Sequence, residues 1–439
     1  MFGELKGVSE KSLNICSFYN TFWEKKMPVT LEKAFLEKYE ILHLEKEKFA
    51  GFVLEMDYET SLYYDVVLDN REKEKWNVSF ERKKFEKPIC HTSEEYDFPD
   101  KLYQDFYQNA FAWGIFEKGK GKSPIAIIET DLETWSNRLR VTEMWVHKDF
   151  RRQGLATILM NVVKDHGRLS KNRAIILETQ SCNVAAIDFY RSCGFNLIGF
   201  DSCCYQNGDI KRKEVRLELG YFFDEKKNQL KEDLKSKEIK IVAETKERER
   251  ESEALCRRSF YNKFKIGCNE HLFLHELRKT DLYLPEFSRI ALVDNKVVGG
   301  IWYTKSYLER DGAKIPLATF GPLCVAPEYQ GVGIGELLIK ETLPLVKKAG
   351  FPGVIIFGEP DYYPRVGFKT CDKFGITTSD GQNFDAFMGI EFEEGSLTKF
   401  SGAKFYGIDI EDQLSEEAVN QFDVDFPPLA KYKRPGQWG

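Results

Sequence analysis

The 439-residue sequence lacks any run of 18 consecutive apolar residues. Its longest candidates, such as Val297–Tyr303, are short and interrupted by glycine, which argues against a helical membrane span. A secretion signal is missing as well: Met1 to Asn20 mixes Glu, Lys, Ser and Asn with isolated apolar residues and offers no apolar core. The ten cysteines contain no Cys-x-x-Cys pair. Without a secretion signal they are expected to be reduced thiols in a cytoplasmic protein. The vicinal pair Cys203-Cys204 suggests no mechanism. Excess charge of either sign is also small. Lys plus Arg number 64 against 70 Asp plus Glu, for a net charge of −6, a poor footprint for nucleic acid or an anionic membrane. No Gly/Ser-rich or Pro-rich linker occurs, so loosely tethered modules are not expected. What is present is apolar surface: 42% hydrophobic and 14% aromatic residues suffice for real cores and exclude a mostly disordered chain. The length implies two or three domains.

The most polar stretch runs from Asp224 to Glu238. It follows the aromatic run Tyr221-Phe222-Phe223 and precedes Ile239-Lys240-Ile241-Val242, which alternates as a half-buried strand does. This charged segment, 224–238, reads as a solvated helix or linker dividing 1–223 from 239–439.

The two parts share an internal similarity. Trp145-Val146-His147-Lys148-Asp149-Phe150-Arg151-Arg152-Gln153-Gly154-Leu155-Ala156 matches Cys324-Val325-Ala326-Pro327-Glu328-Tyr329-Gln330-Gly331-Val332-Gly333-Ile334-Gly335. Both read as strand, turn, Gly-containing loop and helix. Leu155, Ile158, Leu159, Val162 and Val163 fall at helical spacing, as do Ile334, Leu337 and Leu338. A short apolar strand follows each helix, Ala174–Leu177 and Gly353–Ile356. Each unit closes with a tyrosine four residues before a Gly-Phe pair: Tyr190 before Gly194-Phe195, Tyr363 before Gly367-Phe368. The pattern is two copies of one βαβα unit.

A strand that enters a helix through a Gly-rich turn forms an anion site. The first helical N–H groups have no intrahelical acceptor, and the helix dipole adds positive potential. Gly154, Gly331, Gly333 and Gly335 let backbone approach a phosphate, and Arg151 and Arg152 add charge. A Walker loop would end in Gly-Lys-Ser/Thr, which neither copy has. A dinucleotide fold would place Gly-x-Gly-x-x-Gly directly after a strand, which also fails. The loops Arg151-x-x-Gly154-x-Ala156 and Gln330-x-x-Gly333-x-Gly335, with their strands, helices and Tyr…Gly-Phe closures, resemble the GNAT superfamily of acetyl-CoA-dependent N-acetyltransferases. Leu177-Glu178-Thr179-Gln180, Asn183-Val184-Ala185-Ala186, Phe189-Tyr190 and Cys193-Gly194-Phe195 resemble its streptothricin acetyltransferase branch. Glu270-His271, Gly321-Pro322-Leu323 and Tyr362-Tyr363-x-Arg365-x-Gly367-Phe368 resemble a different, poorly characterised branch.

The resemblance implies an α/β fold of two GNAT-like domains, each a central mixed, splayed β-sheet flanked by helices. It implies that acetyl-CoA is held at Arg151, Arg152, Gln153, Gly154, Leu155 and Ala156, and at Gln330, Gly331, Val332, Gly333, Ile334 and Gly335. Backbone beside the loops, Met144 to Val146 and Cys324-Val325, would polarise the thioester carbonyl. Asn183 would touch the CoA chain, or simply cap its helix. Tyr190 and Tyr363 stand where a proton donor to the departing thiolate is needed, or pack under the Gly-Phe turn. An amine with a pKa of about 10.4 must lose a proton before attack, and Glu143, with Glu178 as competitor, is the expected base. Pro322 occupies the corresponding position of the second unit and cannot serve. Glu270, His271, Glu359 and Asp361 remain there as substitutes.

Cys268, His271 and His275 do not form a recognisable metal pattern, and no metal is expected. No Gly-x-Ser-x-Gly supports a serine hydrolase. The expected function is transfer of an acetyl group to a primary amine of a small molecule. The alternative is a non-enzymatic acyl-CoA sensor or scaffold.

Overall fold

A computed structural model describes residues 33–72, 74–92, 100–121, 123–408, 410 and 414–437. The stretch Met1 to Asn20 lies outside them. Two mixed sheets organise the described chain. The first is built from β1 (Tyr39–Leu44), β4 (Phe111–Glu117), β5 (Ala126–Glu133), β6 (Arg138–Val146), β7 (Ala174–Gln180), β8 (Asn196–Asp201) and β9 (Arg216–Phe222), in the order β1-β4-β5-β6-β7-β9-β8. The hairpin β2 (Tyr58–Glu72) and β3 (Lys75–His91) stands apart as a two-stranded sheet. The second large sheet runs β10 (Lys240–Ala243), β11 (Arg289–Val293), β12 (Lys296–Arg310), β13 (Ala313–Val325), β14 (Gly353–Phe357), β17 (Phe387–Glu391) and β15 (Lys369–Thr370). The short strands β16 (Thr377–Thr378) and β18 (Lys404–Tyr406) attach to it through β12.

The short strands β16 and β18 of the second sheet run parallel, and each sheet has one parallel pair at its centre, β6·β7 and β13·β14. A parallel neighbour requires a crossover, and a helix supplies it in each case. The helix Leu155–Leu169 buries Leu155, Leu159, Met160, Val162 and Val163 against the first sheet. The helix Ile334–Lys348 buries Ile334, Leu338, Ile339 and Val346 against the second. The parallel pairings are brief. β6 meets β7 only over Arg138–Arg140, and β13 meets β14 only at Ala318 opposite Val354. Beyond these points the central strands diverge and leave a cleft.

A bulge sits where each cleft opens. Glu143 pairs with Glu129 and Val141 with Thr130, so Thr142 is an extra residue on β6. Leu323 pairs with Ile301 and Phe320 with Tyr303, so β13 also carries one residue too many there. An extra residue bends its strand and increases its twist, which fits the divergence. The second unit departs from its sequence expectation at one element. Tyr190 lies on the helix Val184–Ser192, whereas Tyr363 opens a single 3₁₀ turn, Tyr363–Val366. Pro364 lacks the backbone donor that a longer helix would use.

The charged segment forms the helix Phe223–Lys235, between the last strand of one sheet and the first of the other. Phe223 packs on the first core, while Leu230 and Leu234 pack on the second. The segment Leu429–Gln437 joins the halves a second time. Ala430 and Tyr432 belong to the core of the first sheet, while Arg434 donates to the carbonyls of Asn262 and Lys263 in the second half, each at 2.6 Å.

Candidate functional site

The first loop begins where β6 ends. His147 N–H donates to Ile125 O at 2.9 Å, towards β5. Backbone groups alternate along a strand, so those of Met144 and Val146 turn towards the cleft. In the second unit Ala326 N–H donates to Val298 O at 2.8 Å. By the same alternation Val325 faces its cleft, and Cys324 turns back to the sheet. Of the expected pair Cys324-Val325, only Val325 therefore presents backbone to the cleft.

Arg151 and Gln330 do the same job at equivalent positions. Arg151 Nε donates to Val146 O at 3.1 Å, and Gln330 Nε2 donates to Val325 O at 3.0 Å. Each side chain ties its loop back to the end of its central strand. Arg151 Nη1 also reaches Asp57 O at 3.1 Å. Its guanidinium thus braces the loop, and Arg152, which is exposed, is the freer charge. Gln153 donates to Asp149 O at 3.3 Å.

Gly154 and Gly333 cap the two crossover helices with φ +83° and +97°, a left-handed conformation that strongly favours glycine. A Cβ at either would meet nothing within 4 Å, so the outer face of each loop is open. Leu155 and Ile334 point into the cores, leaving only their backbone for a ligand. Ala156 follows Leu155 in the first turn, and Val332 packs on the second core. At Gly335 a Cβ would lie 2.7 Å from the Tyr362 hydroxyl oxygen. The tyrosine whose hydroxyl reaches the second loop is therefore Tyr362, the neighbour of the expected Tyr363. The Tyr362-Tyr363 doublet was the only sequence signal for it.

Glu143 is half-buried on β6, directly opposite Glu129 on β5. Burial lifts the Glu143 carboxyl well above the usual carboxylate range, and Asp100, Glu129 and Glu178 lift it further. Glu129 is wholly buried and accepts from Tyr103 N–H at 2.7 Å and from the Thr142 hydroxyl at 2.8 Å. Burial raises its pKa too. A carboxylate ending the apolar run Ala126-Ile127-Ile128 was the sequence signal for Glu129. The competitor Glu178 is engaged by Arg216 at 3.0 Å and Arg140 at 3.6 Å.

Tyr190 is buried, and its ring lies 6.2 Å from that of Phe195, so it packs against the Gly-Phe turn. Burial raises its pKa, and the charges of Cys193 and Glu143 add to the rise. Its hydroxyl is thereby kept protonated within electrostatic reach of Glu143. Asn183 caps the helix Val184–Ser192 by accepting from Ala186 N–H at 3.2 Å.

In the second unit Tyr363 is surrounded by Phe320, Tyr362 and Phe368, and burial raises its pKa. Among the four substitute groups, Glu359 is the one whose charge acts on Tyr363. Lys263 and Lys171 hold Glu359 ionised, lowering its pKa against the effect of burial. Glu270 accepts from Asn269 N–H at 3.0 Å. His271 is bound to Asp423 at 2.7 Å and His275 to Glu253 at 2.9 Å. Asp361 is exposed beside Lys171.

The Acetyltransferase (GNAT) family pattern matches residues 76–195 and 253–368, together more than half of the chain. The chain belongs to this family. It is 34% identical over 87 residues to an uncharacterized N-acetyltransferase, YjhQ, of Escherichia coli (strain K12). That match covers 20% of this chain and 48% of the relative, so it spans about half of the relative's length. It is 24% identical over 132 residues to streptothricin acetyltransferase A of Bacillus subtilis (strain 168), covering 30% of this chain and 72% of that protein. A solved structure of the Escherichia coli N-acetyltransferase YhbS in complex with CoA aligns with 44% of this chain and 95% of its own, at 22% identity and a TM-score of 0.33. No helix among the described residues is long and apolar enough to cross a membrane.

Proposed function

We propose that this GNAT-family chain is an N-acetyltransferase that uses acetyl-CoA to acetylate a primary amine of a small molecule, with the reaction carried by the first half, within 1–223. What supports this reading is an open left-handed Gly154 loop, strand backbone of Met144 and Val146 turned away from β5, and a Glu143 carboxyl whose charge acts on the Tyr190 hydroxyl. The site residues fit acetyl-CoA: the glycine cap leaves the helix N-terminus accessible to a pyrophosphate, and Arg152 offers a charge beside it. When bound, acetyl-CoA supplies an activated acyl group. The protein's part is then to offer the backbone N–H of Met144 or Val146 to a carbonyl oxygen, take a proton from the amine at Glu143, and hold one at the Tyr190 hydroxyl. The relative named for streptothricin supports an acceptor of that kind.

The second half, within 239–439, has the same loop geometry but Pro322 in place of Glu143 and a tyrosine turn in place of a helix. Those differences favour CoA binding as its role, in sensing or scaffolding, over transfer to the same amine. Calorimetry of the full chain with CoA should give two sites, one lost in Gly154→Val and the other in Gly333→Val. Thiol release from acetyl-CoA with a panel of amines tests the activity. Release with none of them, while both sites bind CoA, would replace the enzyme with the sensor.

A further inference from the structure

The two phosphate loops differ at one charge-bearing position. Arg152, at φ +65°, and Gly331, at φ +79°, both stand two residues before the capping glycine. The first loop carries a guanidinium there, and the second carries no side chain. Another residue fills that space. Cδ and Cε of Lys227, on the helix Phe223–Lys235 that joins the halves, lie 3.3 Å from where a Cβ on residue 331 would be. The Lys227 side chain is exposed, and its ammonium lies 3.3 Å from Asp224 of the same helix, an exposed pair of a kind that holds a lysine only weakly. The first half also grips the second loop at its neighbouring residue. Arg168, near the end of the helix Leu155–Leu169, donates through Nη1 to Gln330 Oε1 at 2.9 Å.

We propose that Lys227 is the cation of the second phosphate loop, supplied by the joining helix in place of the side chain that Gly331 lacks. The inference rests on the reading that the second loop binds CoA. Three features make the exchange intelligible. Gly331 keeps the left-handed backbone of Arg152, so the exchange removes the side chain without changing the course of the loop. A side chain there would press on Lys227. A flexible ammonium beside exposed loop N–H groups is a point charge that a phosphate can recruit. CoA at the second site would then be read by the second loop and the joining helix together.

The test is CoA calorimetry on the full chain carrying Gly154→Val, so that only the second loop is read. Lys227→Met keeps the aliphatic stem over Gly331 and removes the charge. It should weaken binding about ten-fold at low salt, as expected for loss of one charge-assisted contact. Lys227→Arg should restore it, and the gap between Met and Lys should close as salt is added. Binding unchanged in Lys227→Met but abolished by Gly333→Val would overturn the role of Lys227 and leave the loop reading standing. Binding unchanged by Gly333→Val would remove the second loop as a CoA site, and Lys227 with it. A loss in Lys227→Met that is the same at every salt concentration would also overturn the role of Lys227 as the loop's cation.

Discussion

Glu143 lies on the central strand and Tyr190 on the helix after β7, and the charge of Glu143 acts on the Tyr190 hydroxyl. Their environments push both pKa values up, which suits the base and proton-donor roles proposed for them. Because its pKa is raised, Glu143 ionises only at higher pH, so the wild-type rate should climb through that pKa. Glu143→Gln removes the base while keeping the shape. The rate should fall roughly 10²–10⁴-fold near neutrality and recover towards the pKa of the free amine, as hydroxide takes over. A pH–rate profile of Glu143→Gln that overlays the wild type would remove the assignment, and Glu178→Gln is the control. Tyr190→Phe keeps the ring against Phe195, so turnover should drop more than acetyl-CoA affinity does; a variant with normal turnover and a lower melting temperature would mean that the tyrosine only packs. Sequence singles out both residues, because each occupies a fixed distance from a Gly-containing motif. The bracing contacts of Arg151 were not legible, because its neighbours in space, Val146 O and Asp57 O, are set by the turn of the loop and by a segment far off in sequence.

At the scale of elements, the crossover helix Leu155–Leu169 faces more than its own sheet. Asp165, wholly buried, accepts from Arg168 at 2.6 Å and from the Tyr432 hydroxyl at 2.5 Å. Trp113 Nε1 donates to Lys433 O at 2.7 Å. Tyr432→Phe leaves Asp165 with one partner fewer in a buried site. It should cost about 1–3 kcal/mol, readable as a lower denaturant midpoint with an unchanged slope. His166, on the same helix, is buried between Trp113 and the late segment. Burial chiefly, and the charge of Arg434 secondarily, depress its pKa to about 3 from 6.5. A depressed folded-state pKa means that the unfolded chain binds the proton first. The contribution to stability is therefore whole above pH 6.5 and is lost as pH falls towards 3, at up to about 1.4 kcal/mol per pH unit. His166→Gln should flatten the acid limb of a melting-temperature profile; an unchanged limb would assign the acid sensitivity to other groups.

For the whole molecule, the repeated unit was the most legible feature, because strand alternation, helical spacing and glycine position are local properties. The two sheets, their central parallel pairs and the crossover helices follow from it. The contacts that make the two halves one body were not legible. Nothing in the residues around Tyr432 announces that the ring belongs to a core begun at Tyr39, because burial there is decided by tertiary packing. Residues 1–223 made alone would lack Ala430 and Tyr432, and should melt below the full chain and bind CoA more weakly. Adding the segment as a separate peptide should recover part of the loss, and a half-chain as stable as the whole would show the segment to be dispensable. The same feature has a consequence for synthesis. At about 5–20 residues per second, roughly ten to forty seconds separate translation of Phe223 from that of Tyr432. Throughout that interval the nascent first half waits on the ribosome with a gap in its core, so its final consolidation follows translation of the second half.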